Sequence, residues 1–223
     1  MNLATPRITL PTCAAVQRSG SRGFTLVELL TVVGIIAIFA AIALPTVANR
    51  MRERRTAQVA HQLVQTYRTA KMRAMGRGSA VLVRYDETTD KAVMTREAIA
   101  GAASNNSGCV LSTISSCINP VTRWDDPTQY REIDKFSPFS HAGLYELTRM
   151  EFRDGLITKR AQFDVCFTPS GNAFWRSSFA ATAFQQLNDV PSIWVWSQDS
   201  DGKHLGPDRY VYLLPNGVAR VGQ

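Results

Sequence analysis

The chain has 223 residues, 45% of them apolar, and a formal net charge of +7. That length suits one domain with an N-terminal extension, and that apolar content is enough to bury a core, which excludes a disordered chain. The basic excess is mild: residues 1–23 hold three of the 25 basic residues and none of the 18 acidic ones, leaving 22 against 18 and a charge of +4, weak support for a nucleic-acid partner.

Residues 1–23 contain Arg7, Arg18 and Arg22, no acid, and otherwise mostly small or polar side chains, and they read as a leader that is removed. From Phe24 to Ala48 the chain is FTLVELLTVVGIIAIFAAIALPTVA, with Glu28 its single charged side chain. As a helix this stretch is about 37 Å long, enough to cross a hydrocarbon core of about 30 Å. A secretory signal peptide has a shorter apolar region followed by its cleavage site. Here the candidate site, Arg22-Gly23-Phe24, precedes the apolar run, so cleavage keeps the helix in the mature protein. A carboxylate in such a helix costs several kcal/mol unless it is paired, neutralised or near the headgroups. Cleavage after Gly23 creates an α-amino group on Phe24, and groups at i and i+4 share a helix face, so Glu28 and that amine neutralise each other. The alternative is a Glu28 that sits at the membrane edge and reaches water.

Gly23-Phe24-Thr25-Leu26-Val27-Glu28-Leu29-Leu30 resembles the processing motif of type IV pilins and type II secretion pseudopilins. The resemblance implies that a prepilin peptidase cuts after Gly23 and N-methylates Phe24. It also implies that Glu28 acts in assembly with other pilins or pseudopilins, and that Pro45, where many pilins also have proline, kinks the helix. Arg50, Arg52, Arg54 and Arg55 follow the apolar run, so basic residues flank it on both sides and charge alone does not orient it. A single pass through the bacterial inner membrane with a periplasmic C-terminal domain is therefore what the resemblance implies.

Beyond the membrane half of the helix, 24–48, a second half is expected over 49–77. There Val59, Leu63, Thr66, Tyr67, Ala70 and Ala74 recur at helical spacing, and Gly76-Arg77-Gly78 is a stop signal. Residues 78–223 then change period. AVLVRYD and KAVMTRE read as a hairpin, and GLYELTRMEF, AQFDVCFTPSGNAFW, PSIWVWSQD and RYVYLLPNGVARV continue the strand pattern, with turns at Pro169-Ser170-Gly171-Asn172 and Pro215-Asn216-Gly217. The expected fold class is α+β: a long N-terminal helix packed on a C-terminal antiparallel β-sheet domain. A polar, cysteine-containing insertion at about 101–130 interrupts it at the surface. Phe167-Thr168-Pro169-Ser170-Gly171 and the final run from Val211 to Val221 are similar to the C-terminal half of the GspH/FimT family of minor pilins and pseudopilins, which implies a pair of β-sheets on the helix. The terminal Gly217-Val218-Ala219-Arg220 departs from the directly adjacent Gly-Arg of many members.

No nucleophile–base pair, phosphate loop or cofactor motif stands in the chain, and no enzyme is expected. His61, His141 and His204 are solitary. Asp199-Ser200-Asp201-Gly202 opens like a calcium loop, but Lys203 and Tyr210 stand where oxygen ligands are needed, so it reads as a turn. Cys109 and Cys117 flank a short polar loop and read as a local disulfide if the domain lies outside the cytoplasm, against free thiols or half a metal site, while Cys166 reads as a buried strand residue. Trp194 and Trp196 share a strand face, for which core packing is the commoner use. The expected function is a minor subunit of a type II secretion pseudopilus or type IV pilus. The alternative is a FimT-like DNA-binding subunit acting in DNA uptake.

Overall fold

The computed structural model describes residues 24–88, 92–99, 114–118, 120–137, 148–155, 158–180, 183–198 and 201–222, without the side chains at 45, 46, 48, 49 and 52. The chain divides into two compact units, Met1–Leu44 and Pro45–Gln223. Helix α1, Leu26–Arg77, begins in the first unit and its assignment runs through Pro45 into the second. It ends where expected. Gly78 takes φ +70° and its N–H bonds the Ala74 carbonyl at 3.1 Å, a left-handed cap that a Cβ would strain.

The β domain is two antiparallel sheets. In chain order the strands are β1 Val81–Asp86, β2 Ala92–Ala98, β3 Tyr130–Phe136, β4 Thr148–Asp154, β5 Thr158–Arg160, β6 Gln162–Phe167, β7 Ala173–Arg176, β8 Gln185–Gln186, β9 Ser192–Gln198, β10 His204–Leu213 and β11 Ala219–Gly222. The six-stranded sheet runs β3-β2-β1-β6-β7-β8 and the five-stranded sheet β11-β10-β9-β4-β5. This is the helix-on-β-sheet class expected. Strands β3, β5 and β8 were not anticipated.

The main core forms from one face of each sheet and the apolar stripe of α1. Val59, Leu63, Tyr67, Ala70 and Ala74 meet Val81, Val83 and Tyr85 of β1, Phe163 and Val165 of β6, and Ile193, Val195, Val211 and Leu213 of the other sheet. Tyr85 stacks on Phe152 at 4.2 Å between ring centroids. Burial raises the Tyr67 and Tyr85 hydroxyls well above their ordinary range.

The opposite face of the six-stranded sheet is covered as well. Ala80, Leu82, Ala98 and Cys166 pack under Cys117, Trp124 and Phe184 in a second, smaller core. Every residue of β1 is buried for this reason, and the strand shows no alternation in exposure. The described part of the insertion, 114–118 and 120–130, is thus a cover on the sheet rather than a surface excursion. Its backbone is tied down by Ala80 N–H to the Ile114 carbonyl (2.6 Å) and Ile99 N–H to the Gln129 carbonyl (2.9 Å). Trp124, fully buried on the 3₁₀ turn Val121–Asp125, donates its indole N–H to the Cys117 carbonyl at 3.1 Å.

This arrangement corrects the disulfide. Cys117 pairs with Cys166, 49 residues away, with Cα atoms 5.9 Å apart, and not with Cys109, which lies outside the described residues. On β6, Phe163, Val165 and Phe167 face the main core, so the intervening Cys166 points into the second core, where Cys117 waits. Cys166 is buried as expected, but it is no free thiol.

Candidate functional site

The N-terminal turn of α1 has a defined start. Thr25 is its N-cap: the Thr25 hydroxyl accepts the Glu28 backbone N–H at 3.2 Å, and the Thr25 carbonyl accepts Leu29 N–H at 3.1 Å. Thr-x-x-Glu is the capping-box pattern, and half of that box is formed here. Thr31 in turn donates its hydroxyl to the Glu28 carbonyl at 2.9 Å. The Glu28 side chain is exposed and its carboxylate has no partner among the described residues. Phe24 precedes the cap and is exposed, while Gly23 lies outside the described residues.

Leu26–Leu44 is a 19-residue helical stretch of mean hydropathy 2.6, none of it buried within the chain. At 1.5 Å per residue it is about 29 Å long, the thickness of a bilayer's hydrocarbon core. Its apolar side chains, among them Leu26, Leu29, Val33, Ile36 and Phe39, all face outward. In water such a surface is unstable; in lipid, or against other helices of its kind, it is not.

Two buried carboxylates, Glu97 and Asp164, each gather more than one cation. Glu97, on β2, accepts from Arg73 (2.9 Å) and Arg77 (3.3 Å) of α1 and from Arg131 of β3 (2.8 Å). Burial by itself would raise the Glu97 carboxyl. The hydrogen bonds from Arg131 and Arg73 and the nearby guanidinium charges outweigh it and hold the group below its ordinary value. On the covered face of the sheet, Asp164 receives both forks of Arg84 (2.9 and 2.8 Å) and the Nε of Arg176 (2.7 Å), and Asp125 of the insertion closes the cluster on Arg84 at 2.9 Å. Phe179 lies over the Arg84 guanidinium at 4.0 Å. These groups are fixed by their ion pairs, three guanidinium groups on Glu97 and two on Asp164 and Asp125.

On the outer face of the five-stranded sheet, Trp194 and Trp196 stack at 4.3 Å and His204 packs on both. The two tryptophans are half-buried residues outside the core, and the exposed His204 is not solitary; its Nδ1 also lies 4.0 Å from Asp208. Asp201 and Gly202 stand in the turn before β10, with Gly202 at φ +81°, whereas Asp199, Ser200 and His141 lie outside the described residues. Among the described residues no three His, Cys, Asp or Glu side chains converge as a metal site would require.

The family model for the prokaryotic N-terminal methylation motif matches residues 18–44, which span Gly23, Phe24, Glu28 and the apolar helix up to Pro45. No curated protein and no solved structure matches the chain. The chain therefore carries a prepilin-type N-terminus whose apolar helix is its membrane anchor.

Proposed function

We propose that the protein is a minor pilin-type subunit. Prepilin peptidase cleaves it after Gly23 and methylates the new amine of Phe24, and the mature chain enters a type II secretion pseudopilus or a type IV pilus. The single observation that carries this reading is the methylation motif over residues 18–44, laid on a helix whose apolar side chains over Leu26–Leu44 are exposed among the described residues. The capped first turn supports a role for Glu28: with the Thr25 hydroxyl serving the Glu28 N–H, the carboxylate is free for the α-amine of Phe24 in the same or a neighbouring subunit. The two-sheet β domain agrees with what the resemblance to the GspH/FimT family implies, and the Cys117–Cys166 disulfide suits a periplasmic domain.

The DNA-uptake reading finds less support. Arg73, Arg77, Arg84, Arg131 and Arg176 are all engaged with Glu97, Asp125 or Asp164, so these five guanidinium groups already have carboxylate partners within the domain.

Replacing Glu28 with Ala tests the assembly role. Leader removal, read as a mobility shift on an immunoblot of the full chain, should persist, while the amount of the variant in sheared filaments falls about tenfold, the effect of losing about 1.4 kcal/mol of docking energy. Wild-type levels of the variant in filaments would remove Glu28 from the mechanism. A Gly23 variant that is still cleaved would remove the processing site.

A further inference from the structure

The apolar anchor gives way within a few residues to a strongly basic stretch of α1. Leu26–Leu44 matches a hydrocarbon core of about 30 Å, which sets Leu44 at the edge of that core. Arg50, Arg52, Arg54 and Arg55 follow. Arg50 and Arg54 come six and ten residues after Leu44, about 9 and 15 Å of helix. These are upper limits to their height, because any bend in between brings them closer to the surface. The headgroup layer is itself about 5–7 Å deep on each side of the core, and a long arginine side chain can lean back into it.

The face on which these two arginines stand is open. Val47, Arg50, Met51 and Arg54 fall at i, i+3, i+4 and i+7, a single helix face, and all four are exposed. Thr56, Val59, Ala60 and Leu63 point the other way and are buried. Apolar and cationic side chains next to one another on an exposed helix face match the zone where acyl chains give way to phosphates.

The acids nearby are few and occupied. Between Pro45 and Arg73 the only one is Glu53, and Arg209 of β10 takes it at 3.6 Å. Asp208, next to Arg209 in the chain, lies by His204 instead. The β domain therefore supplies a cation of its own to the one carboxylate that stands among the four arginines. Arg50 and Arg54 have no hydrogen-bond or ion-pair partner among the described residues.

We propose that Arg50 and Arg54 form a binding site for anionic phospholipid, their guanidinium groups holding lipid phosphates at the surface of the membrane that Leu26–Leu44 enters. Guanidinium and phosphate meet through paired hydrogen bonds, and arginine keeps its charge at any physiological pH. Position favours a lipid over a polyanion from solution, because the anchor keeps these two groups against the bilayer's own phosphates at high effective concentration. The site rests on the membrane anchor and needs neither cleavage nor filament assembly.

The test titrates the full chain in detergent with phosphatidylglycerol or phosphatidylcholine and counts bound lipid by native mass spectrometry. Wild type binds phosphatidylglycerol more tightly than phosphatidylcholine, and the preference shrinks as ammonium acetate is raised. Arg50→Gln/Arg54→Gln weakens phosphatidylglycerol binding about tenfold and leaves phosphatidylcholine binding unaltered. Arg68→Gln/Lys71→Gln removes the same charge at least 14 residues further along α1, about 21 Å and well beyond the screening length of about 8 Å, and keeps the preference. Arg18 and Arg22, at the other end of the anchor, are present in every variant and cancel in the comparison. Equal loss in the two double variants would reduce the effect to bulk charge and overturn the proposal, as would equal binding of the two lipids by wild type. Displacement of phosphatidylglycerol by excess glycerol phosphate, a headgroup without chains, would overturn it in favour of a free phosphate ligand. Binding of neither lipid would overturn the anchor together with the site.

Discussion

Glu97 shows how one carboxylate can organise the junction of a helix and a sheet. Three guanidinium groups, from two elements distant in sequence, converge on a side chain that is 3% exposed. Removing one member of a buried ion pair leaves charge without compensation and costs about 3–5 kcal/mol. Arg77 and Arg131 are half exposed, which places Glu97→Gln at the lower end, about 3 kcal/mol, and solvent screening reduces the share of each outer pair. The pH dependence has a fixed sign. Because the folded carboxyl titrates below its ordinary value of 4.5, its contribution is complete above that pH and is lost as pH falls through the folded value. Thermal unfolding of the wild type should therefore weaken on acidification below about pH 4.5, and Glu97→Gln should show a shallower acid decline from a lower plateau. An unchanged acid limb in the variant would show that other carboxylates govern it.

At the scale of elements, two glycines with nearly the same φ separate backbone strain from crowding. Gly78, at φ +70°, has open space where a Cβ would stand. Gly217, at φ +72°, would place its Cβ 2.9 Å from Phe167 and 3.1 Å from Ala173, both buried and unable to retreat. Gly78→Ala should cost about 1 kcal/mol from the left-handed conformation alone. Gly217→Ala should cost about 2–4 kcal/mol, adding the overpacking term, as measured by urea unfolding. Similar losses in the two would mean that the turn at Pro215-Asn216-Gly217 shifts to relieve the contact. Both turn positions were legible in the sequence, because glycine after a helical stripe and after Pro-Asn marks a stop and a turn with a mechanism. Strand β3 was not. Four residues of its YREIDKF are charged, as suits an edge strand, and its apolar residues fall at every third position and so show no alternation. The two residues of β8 are too few to leave a pattern at all.

In the molecule as a whole, the six-stranded sheet is buried on both faces at its central strands β1 and β6. The uniformly buried β1 carries that signal in its own apolar run, yet periodicity alone does not say what covers the second face, and so the disulfide partner of Cys117 was misjudged. Nearness in sequence favoured Cys109, whereas the partner is chosen by which side of β6 the insertion lies on. The prepilin-type motif was legible for the opposite reason, since it rests on a contiguous stretch of sequence and not on a fold. Closing a loop of 49 residues, the Cys117–Cys166 bridge should contribute about 4 kcal/mol. Replacing both cysteines with Ala should lower stability by about 2–5 kcal/mol and open 114–130 to proteolysis while the main core persists. Unaltered protease resistance there would show that Trp124 and the Arg84–Asp125 pair suffice to hold the cover.

The Thr25 cap has a consequence for the order of events at the N-terminus. Because the Thr25 hydroxyl already holds the Glu28 amide, the first helical turn forms without any free amine at Phe24. On the proposed reading, a bond cleaved after Gly23 would lie just upstream of a helix that is complete from Leu26 onward, and a peptidase would not need to unwind the anchor to reach it.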